Sequence, residues 1–171
     1  TIGRTEWVNL REMTVTELEM HDPACCGAFI DRSGVTKSAA NNPSQAATTF
    51  TTTDGLIQRN KTTVELLGEV TVKQGYRTII NLDKNASTII NQESETVTLI
   101  GDVSIREPGL LMRGTSANVD SKTQTNSVRN ATYVMHEIGA HGRADQIQYE
   151  RELSLITLDN AEFSRCEPEE P

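Results

Sequence analysis

The stretch Val64–Gly75, VELLGEVTVKQG, recurs 33 residues further on as Val97–Gly109, VTLIGDVSIREPG. The apolar residues fall on one parity in each copy: Val64, Leu66, Val70 and Val72 in the first, Val97, Leu99, Val103 and Ile105 in the second. Successive side chains of a β-strand point to opposite faces, so a period of two with one apolar face predicts half-buried strands. The central glycines, Gly68 and Gly101, share the apolar parity. They predict a kink where each strand bends.

Working outward, NATYV at Asn130 is echoed by NAEFS at Asn160, 30 residues later. One strand–turn unit of about 30 residues is thus used some three times, each copy covering its neighbour. The composition agrees. Only 36% of residues are hydrophobic and 4% aromatic, which suits an elongated β structure with much polar surface better than a compact helical globule. The 171 residues fit one domain of about 110 to 150 residues with less structured ends. Residues 1–45 read as an N-terminal segment and linker: WVNLREMTVTELEM suggests one short helix, and Ser33–Thr53 is crowded with Ser, Thr, Asn and Ala. The β domain is placed at 46–166, and 167–171 as the start of a further linker.

The net charge of −8 argues against a nucleic-acid partner, which needs clustered Lys and Arg to neutralise phosphates. No apolar run approaches the ~20 residues of a membrane-spanning helix, and no leader peptide marks the start, so export would imply one already removed. HEIGAH resembles a metalloprotease motif, but His136 and His141 are five apart, too far to share one helix face as zinc ligands. No nucleophile elbow, phosphate loop or catalytic carboxylate pair stands out, so neither an enzyme nor a cofactor or metal site is expected. Three Asn-x-Ser/Thr sequons, at Asn60, Asn85 and Asn130, are what a chain rich in Asn and Thr generates by chance.

Three cysteines, Cys25, Cys26 and Cys166, leave at least one thiol free, paired with another molecule, or paired with protein outside this chain. A Cys25–Cys26 bridge would be strained, and a Cys25–Cys166 bridge leaves Cys26 over.

DPACCGAFID, the two strands at Gly68 and Gly101, ATYVMHEIGAHGRADQIQY and above all ITLDNAEFSRCEP together resemble the N-terminal periplasmic part of the LPS-assembly (LptD, or organic solvent tolerance) family. The likeness runs from about Trp7 to Pro168 and rests on the order and spacing of these motifs. It implies an all-β jellyroll, or taco, of two antiparallel sheets. It implies lipopolysaccharide as ligand, received from a bridge of LptA by edge-strand pairing and passed to a C-terminal outer-membrane barrel plugged by LptE. The location implied is the cell outer membrane, with this domain in the periplasm. For the cysteines, it implies long-range disulfides to the barrel from Cys25 and Cys166, with Cys26 the alternative to Cys25 because the doubled cysteine departs from the family pattern.

A domain of this charge would hold an anionic lipid chiefly by its acyl chains, at about 0.8 kcal/mol per CH2 buried. The expected groove lining is Val70, Val72, Val103, Ile105, Leu111, Val119, Tyr133, Ile147 and Phe163. Ala46–Thr53 and the strand near Phe163 are the expected ends. Two other classes fit the pattern: a structural β-solenoid or adhesin module with a sealed interior, and a sugar-active enzyme on a β scaffold.

Overall fold

The computed structural model describes residues 42–43, 46–85, 87–136 and 139–165. The predicted N-terminal helix, all three cysteines and the 167–171 linker lie outside the described residues. Twelve strands follow in order: β1 (Thr48–Thr52), β2 (Leu56–Gln58), β3 (Thr63–Leu67), β4 (Val70–Gln74), β5 (Arg77–Asn81) and β6 (Ser87–Asn91). Then come the four long strands β7 (Thr96–Glu107), β8 (Leu110–Asp120), β9 (Thr125–Met135) and β10 (Ala140–Glu150), and finally β11 (Leu155–Asp159) and β12 (Glu162–Arg165). All pairings are antiparallel, and hydrogen bonds join every strand into one sheet.

That sheet makes two walls because its long strands turn a corner. β7 pairs through Thr96–Leu99 with β6, and through Val103–Arg106 with β5. The β7–β8 register shifts between Ile100 and Val103, at Gly101. One wall therefore runs β1, β4, β5, the distal half of β7 and its long neighbours, then β12; the other runs β2, β3, β6, the proximal half of β7, and ends at β11. Apolar residues from both walls form a single buried cluster, including Val72, Ile105 and Tyr133 from one and Leu66, Leu99 and Ile147 from the other. The expected jellyroll of two antiparallel layers is thus one sheet folded over.

The corner is built from left-handed backbone. Gly68 (φ 76°) separates β3 from β4, and Gly101 has φ 130°. In the later strands asparagine does the same work: Asn130 has φ 46° and Asn160 φ 48°. Asparagine tolerates this region because its short polar side chain bonds locally. Asn130 Nδ2 donates to Thr115 Oγ1 at 3.0 Å, and Asn160 Nδ2 to Asp145 Oδ2 at 2.8 Å. The echo between NATYV and NAEFS is therefore an echo of corners. At the opposite ends of the strands, the hairpins Asn91–Thr96, Asp120–Thr125 and Glu150–Leu155 are matched turns, each with a left-handed residue in fifth place: Glu95, Gln124 and Ser154. Asn91 Oδ1 accepts the amides of Glu93 and Ser94, and Asp120 Oδ1 those of Lys122 and Thr123, the Asx-turn that fixes such loops.

A Cβ at Gly68 would also require the side chains of Thr53 and Asp54 to move aside. Gly68→Val is expected to destabilise the domain by about 2–3 kcal/mol. Urea unfolding followed by circular dichroism checks this; an unchanged midpoint would mean that the corner does not require the left-handed geometry.

Candidate functional site

Cross-strand partners share a face of the sheet, so the register can be followed from edge to edge along each wall. On one wall it runs Phe50, Val72, Ile79, Ile105, Met112, Tyr133, Gly142, Phe163. On the other it runs Leu56, Leu66, Thr88, Leu99, Ala117, Val128, Ile147, Leu158. These are two almost wholly apolar rows, eight residues each, lining the inside of the fold. Their middles are buried and their ends are not: Phe50 is 42% exposed, Leu56 52% and Phe163 58%. Among the described residues, β1 pairs with β4 alone and β12 with β10 alone.

Seven of the nine expected lining residues, Val70, Val72, Val103, Ile105, Val119, Tyr133 and Ile147, lie buried in the cluster between the walls. There they pack against one another. Phe163 has the same inward parity but lies at an edge, beyond the packed part.

Leu111 departs from the expectation. It pairs with Arg106 and Val134, whereas Met112 pairs with Ile105 and Tyr133, so Met112 takes the inward position and Leu111 the outer face. Leu110, Leu111 and Met112 are three consecutive apolar residues, and such a run carries no parity from which to choose. Leu111 is nonetheless buried.

Gly142 interrupts its row for a steric reason. A Cβ there would collide with the carbonyl oxygen of Glu162 and lie 2.9 Å from Tyr133 Oη. Its absence lets β12 close on β10 and lets the Tyr133 hydroxyl donate to the Glu162 carbonyl at 3.4 Å. Beside Phe50, a cleft of about 390 Å³ opens between β1 and β4 on one side and β6 and β7 on the other, with Ile90, Val97, Gln74 and Ser121 on its walls.

The strand ends opposite the corner hold a different chemistry. Arg77 Nε donates to Glu107 Oε1 at 3.0 Å, and Asn126 Nδ2 donates to the same oxygen at 3.1 Å. Arg151 Nε donates to Glu107 Oε2 at 3.1 Å, its Nη2 pairs with Glu107 Oε1, and its Nη1 bonds Gln124 Oε1. Gln74 Oε1 accepts from Arg77 Nη1 at 3.2 Å, and the Arg151 guanidinium lies 5.7 Å from the Tyr76 ring centre. Arg77, Glu107, Gln74, Gln124 and Asn126 are all buried. The sequence carried a sign of this cluster: Gln74 and Glu107 continue the parity of Val70–Val72 and Val103–Ile105 onto the inward face. Burial pushes the Glu107 carboxyl up, but the Arg151 hydrogen bond and the charges of Arg77 and Arg151 outweigh it and hold the carboxyl below its usual range.

A fold of this kind defines a class, the open-ended antiparallel jellyroll. Its likeness to a solved structure is direct: LptH of Pseudomonas aeruginosa, described as the LptA-homologous periplasmic component of the lipopolysaccharide transport device, superposes with a TM-score of 0.62. It is 12% identical in sequence and matches 73% of this chain and 97% of its own. By sequence, the chain is similar to proteins described as LPS-assembly protein LptD. It is 30% identical over 164 residues to the LptD of Saccharophagus degradans, 31% over 150 residues to that of Acinetobacter baylyi, and 26% over 163 residues to that of Pseudomonas fluorescens Pf-5. These alignments cover 95%, 85% and 95% of this chain, which spans 17–18% of the length of those relatives. No family model matches the chain.

A carboxylate whose folded pKa is depressed adds stability that is full above its unfolded pKa, about 4.3 for Glu, and is lost as pH falls through the folded value. Glu107→Gln removes this component and leaves the buried Arg77 and the partly buried Arg151 without their counter-charge. It is expected to destabilise by about 3 kcal/mol at pH 7, and its deficit relative to the parent should narrow below about pH 4. Thermal melts of both proteins from pH 7 to pH 3 check this; a deficit independent of pH would remove Glu107 ionisation from the stability balance.

Proposed function

We propose that this chain is a relay for lipopolysaccharide, a jellyroll that takes the acyl chains between its two walls and leaves the headgroup outside. The observation that carries this reading is the pair of apolar rows running from edge to edge and emerging into solvent at Phe50, Leu56 and Phe163. The likenesses to LptH and to the LptD proteins support it. With a net charge of −8, the domain would gain affinity from apolar burial, about 0.8 kcal/mol per CH2, and little from the lipid phosphates.

An arriving acyl chain exchanges wall-to-wall contacts for wall-to-lipid contacts. Both are apolar, so each step along the rows differs little in free energy from the next. The edge at β1 or the edge at β12 accepts a strand of an LptA-type jellyroll by β-augmentation, and the other edge leads toward a C-terminal barrel with its LptE plug. Cys166 and Cys25, or Cys26 in its place, tether the domain to that barrel by disulfides. The domain works in the periplasm, attached to the outer membrane, with no cofactor and no nucleic-acid partner. A second reading, a sealed structural β module, is favoured by one observation: seven of the expected lining residues are fully packed against one another.

Photocrosslinking separates the two. With a light-activated residue at Val103, which faces inward, or at Ser104, which pairs with Ile80 and Arg113 on the outer face, purified lipopolysaccharide should crosslink at 103 and not at 104. Silence at both positions in a folded domain would favour the sealed module.

A further inference from the structure

The interior is apolar along both rows, yet one charged cluster is buried at its rim, and its placement is specific. Gln74, Arg77 and Glu107 belong to strand ends of one wall; Gln124, Asn126 and Arg151 belong to strand ends of the other. Glu107 is the shared acceptor. Its two oxygens take Arg77 from its own wall and Asn126 and Arg151 from the opposite one. A weaker bond of 3.5 Å, from Gln74 Nε2 to Ser121 Oγ, crosses the same gap. All of these residues sit at strand termini, about half a long strand away from the corner at Gly101 and Asn130, where the two walls join covalently and by hydrogen bonds.

Geometry and energetics then point the same way. A folded sheet that parts its walls rotates about the corner, and the greatest separation falls at the strand ends. Parting apolar side chains exposes them to water and is unfavourable throughout. Parting a buried ion pair loses the Coulomb attraction but returns each ion to its hydration shell, so the net change is small. The cluster is also incompletely satisfied as it stands: Arg77 Nη2 and Asn126 Oδ1 are buried without a hydrogen-bond partner among the described residues. Water admitted on opening would satisfy both.

We infer that the Arg77–Glu107–Arg151 cluster, with Gln74, Gln124 and Asn126, is a polar latch across the mouth of the jellyroll, closing the walls when empty and releasing them to admit acyl chains laterally. The inference rests on the relay reading for its cargo, though not for its mechanics. Glu107 is the residue on which the latch turns, because its one carboxylate takes donors from both walls. The cleft beside Phe50 shares Gln74 and Ser121 with the latch's margin. An acyl chain lying in that cleft would therefore press directly against the closing contact.

Two variants of the whole chain test this in opposite directions. Glu107→Gln loosens the latch; the triple variant Arg77→Met, Glu107→Leu, Arg151→Met replaces it by apolar contacts that water cannot relieve. Hydrogen exchange is followed at the amides of the Glu107–Leu110 turn and of Asn126, with those of Leu99 and Ala117 as reference, and lipopolysaccharide capture is timed by photocrosslinking at Val103. Exchange at the mouth, relative to the reference, should rise about tenfold or more in Glu107→Gln and fall in the triple variant. Crosslinking to purified lipopolysaccharide should be faster in the first and slower in the second.

Mouth exchange that is the same in the parent and the folded triple variant would overturn the latch, even if Glu107→Gln proves too unstable to measure. If exchange responds as expected while no protein crosslinks lipid, the latch stands and the relay reading falls. If all proteins crosslink at one rate and mouth exchange does not move, the relay stands and the latch falls.

Discussion

A strand can serve two walls only if its backbone turns a corner without surrendering its neighbours, and the rest of this molecule depends on how β7 to β10 do so. Left-handed backbone at Gly101 and Asn130 redirects β7 and β9, their partners β8 and β10 follow through breaks in the register, and hydrogen bonding resumes on both sides. One sheet thus encloses its own interior, with no separate second sheet to align. The same device sets the spacing of the chain: from Gly101 to Asn130 come half of β7, a hairpin, the whole of β8, a second hairpin and half of β9, which is the step of about 30 residues that the sequence repeats. The matched turns ending at Glu95, Gln124 and Ser154 keep the successive corners in line.

Folding over does not remove edges. A closed barrel would, but among the described residues β1 and β2 end the walls on one side and β11 and β12 on the other. Unpaired edge strands are ordinarily an aggregation hazard. In this chain the hazard is combined with inward apolar residues at the same edges, Phe50 and Phe163, which extend the interior rows past the last packed residue. An isolated structural module gains nothing from such ends. A segment in a line of like segments gains a continuous interior, because a strand added at the edge supplies both the missing hydrogen bonds and the next residue of the row.

The sequence made the inward face legible wherever apolar residues alternated with polar ones. Val64, Leu66, Val70, Val72 and their counterparts from Val97 to Ile105 occupy the face that their parity requires. It failed at Leu110–Met112, where three apolar residues in succession erase the period, and it passed over Ile79 for the same reason, since Ile80 follows it. The corners were half legible: the glycines announced a bend, but Asn130 and Asn160 looked like a repeat of letters until their φ values showed a repeat of conformation. The polar cluster was legible in principle, through Gln74 and Glu107 on apolar parity. Its partners Arg77 and Arg151 could not be assigned, because their pairing depends on which strand ends face one another across the fold, a relation that no local pattern records.

A packed interior is compatible with the proposed carriage of lipid, provided that the walls can part in the right place. On the proposed relay reading, rows that are mostly aliphatic would present an acyl chain with contacts of similar strength from one residue to the next. The apolar cluster holds the empty walls together, and margin contacts that can be broken without exposing apolar area then set how readily the walls part. A hydrated margin would leave the walls gaping, and a fully apolar margin would seal them. In the proposed latch, a buried carboxylate shared by two guanidinium groups lies between these limits, and it sits at the rim farthest from the corner.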